Sequence, residues 1–304
     1  MANKMNIITI HNTVDDEIVE YPYESLIFPG GEPHIKLDPK WFSGKVIWIN
    51  ARIGDCNGFM TLMCLIDAIK ACKPKKLGLF IPYLPGARQD RREFGTAHTL
   101  RVYAEMIKAA NLDLVVVVDP HSNVLEGILD PRIVGQEEIV PKVHYGGYDA
   151  IICPDAGAEK RVSKVANELK VTSIIHASKK RDVVTGKLSG FSIQNPLIFP
   201  DNNKVYKYLI VDDICDGGGT FIGLAKEINR TFLQKYQLDL FISHAIFSKG
   251  IDDLLQCFNR IITTDSFPFE NFELANDWIK YGQSKVLVSR LIFLAQDIMK
   301  KELI

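Results

Sequence analysis

Short apolar runs, each followed by a polar or turn-rich loop, recur along the whole chain. They are Ile7–Ile10, Val46–Ile49, Leu77–Ile81, Leu114–Val118, Ala150–Cys153, Val171–His176, Tyr208–Val211, Phe241–Phe247, Arg260–Thr264 and Val286–Val288. Such runs are too short for helices and rich in β-branched and aromatic residues, which predicts strands buried on both faces. Between several of them the apolar positions change to helical spacing. Phe59, Met60, Met63, Cys64 and Ile66–Ile69 predict a helix over Asn57–Cys72, closed by Lys73 and Pro74. Leu100, Tyr103, Met106 and Ile107 predict a second, capped by Thr96 and reaching about Ala110. Glu159–Leu169 gives a third, and Ser289 is placed to cap a closing helix to Met299 that carries Ile292 and Ala295. Units of strand then helix occur in both halves, and no sequence repeat accompanies them.

With 304 residues, 47% hydrophobic and 24% charged, the chain has the composition of a globular protein, and its length suggests two domains. The glycines of H-Y-G-G-Y place the boundary near residue 146, giving domains 1–146 and 147–304. A net charge of -1 gives no global attraction to nucleic acid or anionic membrane, so any anion site must be built locally. The six cysteines are scattered without a C-x-x-C pair, which argues against zinc and against a disulfide framework and suits a reducing, cytoplasmic setting. No apolar run approaches the roughly 18 residues of a membrane span, and the first residues lack a signal-type apolar core.

The candidate chemistry lies where strands run into loops. Tyr208–Val211 leads to Asp212 and Asp213, then to Asp216, Gly217, Gly218, Gly219 and Thr220 at a helix start. Backbone amides of such a loop can converge on a phosphate. The two acids repel phosphate, so they should face hydroxyls or a bridging metal on the same ligand, and a sugar phosphate meets both requirements. Leu77–Ile81 leads to P-Y-L-P-G-A-R-Q-D-R-R-E, where Arg88, Arg91 and Arg92 gather positive charge in a form suited to bidentate phosphate binding. Leu114–Val118 leads to D-P-H-S, whose His121 can ligate a metal, donate to a phosphate or serve as a structural loop residue. After Ala150–Cys153 comes P-D-A-G-A, with Asp155 either a magnesium ligand or a helix cap. The basic, turn-rich excursion Ser178–Phe191 reads as an exposed hairpin or flap. F-P-G-G-E, Phe28 to Glu32, is a turn by composition.

These motifs, in this order and across nearly the whole chain, resemble the ribose-phosphate diphosphokinases, which share the type I phosphoribosyltransferase fold. V-D-D-I-C-D-G-G-G-T is similar to the family's ribose-phosphate loop, and A-R-Q-D-R to its nucleotide loop. V-D-P-H and C-P-D-A-G are similar to its two metal motifs, and F-P-G-G-E to its adenine-contacting element. The resemblance implies two similar α/β domains, each a mainly parallel sheet flanked by helices. It implies a transferase that moves the diphosphoryl group of ATP to the 1-hydroxyl of ribose 5-phosphate, in nucleotide biosynthesis. By the same resemblance, Arg88, Gln89, Asp90 and Arg91 hold the nucleotide, with Phe28 and Glu32 contacting adenine across a homo-oligomer. Asp212, Asp213, Asp216, Gly217, Gly218, Gly219 and Thr220 hold ribose 5-phosphate; His121 and Asp155 hold Mg²⁺; and Lys179 and Arg181, with Lys180 between them, stabilise the transition state together with His121. Two positions depart from the family pattern: Gly217 stands where a Thr or Ser is frequent, which removes a hydroxyl donor, and Gly30 where an acid is common. A nucleobase phosphoribosyltransferase would share only the loop over Asp212–Thr220 and leaves the arginine loop without a role. A non-catalytic relative would have lost metal or flap residues that this chain retains.

Overall fold

Strand β1 (Ile7–Val14) pairs antiparallel with β2 (Glu17–Tyr21), and a separate hairpin follows, β3 (Glu24–Ile27) with β4 (Pro33–Lys36). The chain continues through β5 (Val46–Arg52), α1 (Cys56–Ala71), β6 (Lys76–Phe80), α2 (Thr99–Ala109), β7 (Leu114–Val118), α3 (Val124–Leu129) and β8 (Arg132–Val134). These strands form a sheet of order β2-β1-β5-β6-β7-β8, in which β5 to β8 are parallel and β1 is antiparallel to both its neighbours. The computed structural model describes residues 6–14, 17–143, 147–181, 188–194, 203–268 and 286–303. It divides into two compact units, one of Met1–Val134, Asp265–Glu270 and Arg290–Ile304, the other of Gly135–Thr264 and Asn271–Ser289.

The first unit follows from its apolar pattern. Asp55 caps α1, its carboxylate accepting from the Gly58 amide at 2.8 Å. Phe59, Leu62, Leu65, Ile66 and Ile69 then fall on one face and pack with Ile47 and Ile49 of β5. Burying each such side chain contributes roughly 1.5–3 kcal/mol. Trp48, on the other face of β5, stacks on His11 with ring centroids 4.4 Å apart. Burial, and next the nearby Arg52, lowers the pKa of His11 to about 4, so the ring is neutral.

The second unit runs α4 (Gln136–Val143), β9 (Ala150–Cys153), α5 (Glu159–Leu169), β10 (Ile174–Arg181), β11 (Leu188–Gln194) and β12 (Tyr206–Cys215). It continues with α6 (Gly219–Thr231), β13 (Tyr236–Ala245), α7 (Asp252–Cys257), β14 (Arg260–Thr264) and β15 (Val286–Ser289). The sheet order is β11-β10-β9-β12-β13-β14-β15, parallel throughout except for the β10–β11 hairpin. At its amino edge Arg260 grips the buried Asp239 through two hydrogen bonds of 2.9 and 2.6 Å, and the Tyr148 hydroxyl donates to the same oxygen at 2.8 Å. Helix α8 (Ile292–Glu302) returns to the first unit, where Met299 and Leu303 lie against Gly78. A Cβ at Gly78 would stand 2.7 Å from a Leu303 methyl, so the glycine permits that approach.

Two parallel-dominant sheets flanked by helices are the expected fold class. The division falls after Val134, whereas the glycine content suggested 146, and two later segments rejoin the first unit. Thr96 does not cap α2: its hydroxyl closes a local turn with Glu93, and the cap position is His98. Ser289 ends β15, and the closing helix is preceded by Leu291, whose amide donates to Asp265 at 2.8 Å. Val171 to Ser173 precede the strand that the apolar run predicted there.

Candidate active site

In the second unit the sugar-phosphate residues sit on the carboxyl-terminal part of β12. The strand runs on to Cys215, so Asp212 and Asp213 lie within it and not beyond its end; Asp212 is paired in register with Ile242 of β13. Both carboxylates meet Arg161, two residues into α5. One guanidinium nitrogen is 3.4 Å from Asp212 Oδ1 and the other 3.6 Å from Asp213 Oδ2, with side-chain exposures of 15% for Arg161, 15% for Asp212 and 6% for Asp213. Burial pushes the Asp212 carboxyl well above the ordinary carboxylate range, and the neighbouring Asp213 pushes it further. Arg161 opposes both. The two carboxyl groups are therefore bridged by Arg161, and hydroxyls of a polyol could use their acceptors.

Beyond Cys215 the backbone turns sharply. Gly218 is left-handed, with φ 74, and is followed at once by α6. A Cβ at Gly218 would meet Leu254 carbons at 3.3 Å, so both conformation and space favour glycine. Gly217 has an ordinary φ and needs no glycine for conformation. The turn after β13 braces this loop: the Ile246 and Phe247 amides donate to Cys215 O at 2.9 and 3.1 Å, the Ser248 amide to Asp216 O at 3.2 Å, and the Ser248 hydroxyl to Asp216 Oδ1 at 2.5 Å. The N-terminal amides of α6 are thereby fixed in direction, as an anion cradle requires.

Asp155 follows β9, the strand beside β12, so its loop opens at the same sheet edge. Its Oδ1 accepts from the amides of Gly157 at 2.9 Å and Ala158 at 3.2 Å, which fixes the carboxylate as a turn cap. Strand β10 lies on the other side of β9 and carries Lys179 to Arg181 in its antiparallel hairpin with β11, where the register shifts between Lys180 and Arg181. The excursion is thus a β-hairpin; its tip, 182–187, lies outside the described residues. Asp155, Lys179–Arg181 and the acid pair with its glycine loop lie at the carboxyl-terminal ends of three adjacent parallel strands, β9, β10 and β12. Cys153 and Cys215 are no nucleophiles here, since burial pushes their thiols up to about 11 and about 12.

In the first unit the arginine loop follows β6 and the D-P-H turn follows the adjacent, parallel β7. Leu84 and Ala87 are buried anchors, while Arg88, Gln89, Arg91 and Arg92 are exposed. Gly86, with φ +80, lets the loop approach α2, where the Leu100 amide donates to Gln89 O at 3.3 Å. Asp90 is half-buried beneath them, with Arg91 Nε 4.0 Å from it. His121 is exposed, and before it Asp119 is buried at φ 37, its amide donating to Val134 O at 2.8 Å. F-P-G-G-E closes the β3–β4 hairpin through Phe28 N to Glu32 O at 2.9 Å and Gly31 N to Phe28 O at 2.8 Å. Phe28 is exposed beside His34, together with Leu26 and Ile27. The Glu32 carboxylate lies over Gly30, 2.5 Å from where a Cβ would be, so it occupies the space of the side chain that Gly30 lacks.

Among the described residues no group of three or more His, Cys, Asp or Glu side chains could enclose a metal ion. Sequence reasoning missed Arg161. Its only linear signal is a position in the first turn of the helix after C-P-D-A-G, and nothing there couples it to acids 51 residues later.

Comparison with known proteins gives the same direction throughout. The phosphoribosyl transferase domain family matches residues 142–253. A curated ribose-phosphate pyrophosphokinase of Mycoplasmopsis pulmonis is 28% identical over 246 residues, covering 76% of this chain and 70% of its own. One of Sulfurisphaera tokodaii is 26% identical over 281 residues, covering 86% and 91%. The crystal structure of phosphoribosylpyrophosphate synthetase from Mycobacterium smegmatis superposes with a TM-score of 0.74 at 20% identity, over 92% of this chain and 89% of that one, and so shares the fold.

Proposed function

We propose that this chain, which belongs to the ribose-phosphate pyrophosphokinase family, transfers the diphosphoryl group of ATP to the 1-hydroxyl of ribose 5-phosphate and releases AMP. The observation that carries the reading is the second unit's sheet edge, where an acid pair tied by Arg161 runs straight into a glycine loop at a helix start. Such an edge separates two tasks on one ligand: the carboxylates accept from ribose hydroxyls, and the amides of Gly218, Gly219 and Thr220 donate to the 5-phosphate. The exposed Arg88 and Arg91, with Gln89, suit a polyphosphate, and Asp90 beside Arg91 is assigned to the same nucleotide loop.

The 1-hydroxyl attacks the β-phosphorus in line and AMP leaves, so the protein's work is positioning and neutralising charge, without a covalent enzyme intermediate. Lys179 and Arg181, carried on β10 of the hairpin, are assigned to meet charge that develops in transfer, and His121 is assigned to donate to a phosphate oxygen. Magnesium is assigned from the family resemblance: it keeps several waters and phosphate oxygens and needs only one or two protein groups, roles assigned to Asp155 in the second unit and to His121 in the first. When bound, the ion neutralises phosphate charge. Phe28 and Glu32 are assigned to adenine across a homo-oligomer, which the exposed Leu26, Ile27 and Phe28 support, and the setting is assigned as cytoplasmic.

Incubation with ATP, Mg²⁺ and ribose 5-phosphate tests the reading. AMP should appear in step with sugar consumption; ADP as the product overturns it.

A further inference from the structure

The loop that would hold the 5-phosphate has a glycine, Gly217, whose backbone does not need one. The reason lies across the loop. A Cβ at Gly217 would stand 3.2, 3.4 and 3.5 Å from Cδ, Cε and Cγ of Lys249, tighter than ordinary contact at its nearest point. The lysine stem therefore runs over the face of Gly217, in the room that a threonine or serine would claim. Lys249 comes from the turn after β13, which the hydrogen bonds of Phe247 and Ser248 to Cys215 and Asp216 fix against the loop, and which Gly250, with φ +79, closes by donating to Phe247 O at 2.8 Å. Lys249 is exposed, and among the described residues its ammonium has no hydrogen bond or ion pair.

We propose that Lys249 is a phosphate-binding residue of this loop, which replaces a neutral hydroxyl donor at position 217 by a cation reached from the neighbouring turn. The inference rests on the assignment of the loop to ribose 5-phosphate and names a further residue of that site. A charged donor next to a cradle of amides strengthens binding of a doubly charged phosphate more than a hydroxyl does, and its effect is screened by salt. Gly217 and Lys249 then form one device: the glycine is there to admit the lysine.

The test is calorimetric titration of the whole protein with ribose 5-phosphate, and with ribose as the probe lacking phosphate, for wild type, Lys249→Met, Lys249→Arg, Gly217→Thr and the double variant Gly217→Thr/Lys249→Met. Lys249→Met keeps the stem and removes the charge, so affinity for ribose 5-phosphate should fall about tenfold at low salt, with a smaller fall at high salt, and Lys249→Arg should restore most of it. Turnover at saturating sugar phosphate should change little, so the effect appears in KM and not kcat. Gly217→Thr should weaken ribose 5-phosphate binding in the wild type and in Lys249→Met alike, because the new Cβ meets the stem that both side chains carry across Gly217. If wild type binds ribose 5-phosphate and Lys249→Met binds it within twofold, the role of Lys249 is refuted and the loop assignment stands. If wild type binds ribose 5-phosphate no better than ribose, the loop assignment itself fails and takes the role of Lys249 with it.

Discussion

Replacing Arg161 by methionine keeps much of the side-chain volume and removes a cation that bridges two carboxyl groups. The pairs are 3.4 and 3.6 Å long. With an effective dielectric constant of about 20, each such pair attracts by roughly 5 kcal/mol. Desolvation of the three groups cancels much of that gain, and leaving buried charge unpaired makes removal of one partner costly, so the net loss should be about 2–4 kcal/mol. At roughly 2–4 °C per kcal/mol for a unit of this size, the melting temperature should fall by about 5–10 °C near neutral pH. The pH dependence gives the sharper signature. Asp212 is raised above its ordinary value of 3.8, by burial first and Asp213 second, with Arg161 holding it down. An acid with a raised folded pKa contributes stability that is complete below its unfolded value and is lost as pH rises through its folded value. Arg161→Met raises that folded value further, so the variant's deficit should be smallest at acid pH and grow as pH rises. Thermal melts of both proteins across a series of pH values make the measurement. A deficit below about 1 °C at every pH, or one that does not grow with pH, would refute the role given to Arg161.

Asp212→Asn with Asp213→Asn removes the acceptors assigned to the ribose hydroxyls. Sugar-phosphate affinity should weaken by about 1.5–3 kcal/mol per lost charged hydrogen bond while ATP binding changes little, and titration showing unchanged sugar affinity would displace the assignment. Lys179→Ala or Arg181→Ala should lower turnover at least about 10²-fold with a much smaller rise in KM and an unchanged melt; turnover within about threefold of wild type for both would make the hairpin an ordinary solvated loop. Gly218→Ala forces a Cβ into a left-handed residue that faces Leu254, so it should cost about 1–2 kcal/mol in stability and weaken ribose 5-phosphate binding, whereas Gly217→Ala at an ordinary φ should cost less in the melt.

The parallel core was legible because its strands are buried on both faces and so read as continuous apolar runs. Ala150–Cys153 and Arg260–Thr264 match their strands end for end. The limits of that signal are visible in β12, which continues through Asp212 and Asp213: hydropathy ends at Val211, but the backbone pairing does not. Of the β3–β4 hairpin only the turn over Phe28–Glu32 was read, because its two strands are short and largely exposed. Helix α4 carries Pro141, which hides it from propensity. Among site residues, those in short contiguous motifs were readable, since one loop holds acids and glycines together. Arg161 and Lys249 were not, because each acts across the sheet edge on residues far away in sequence, and only the packing of α5 and of the turn after β13 brings them there.

The central claim is that both terminal phosphoryl groups of ATP move together to a sugar. ATP labelled in its γ-phosphate, incubated with Mg²⁺ and ribose 5-phosphate, follows that transfer directly. The label should leave ATP at the rate AMP appears and be recovered as a diphosphate on the sugar. Recovery of the label as free phosphate with ADP, or as a single phosphate ester on the sugar, would contradict the account.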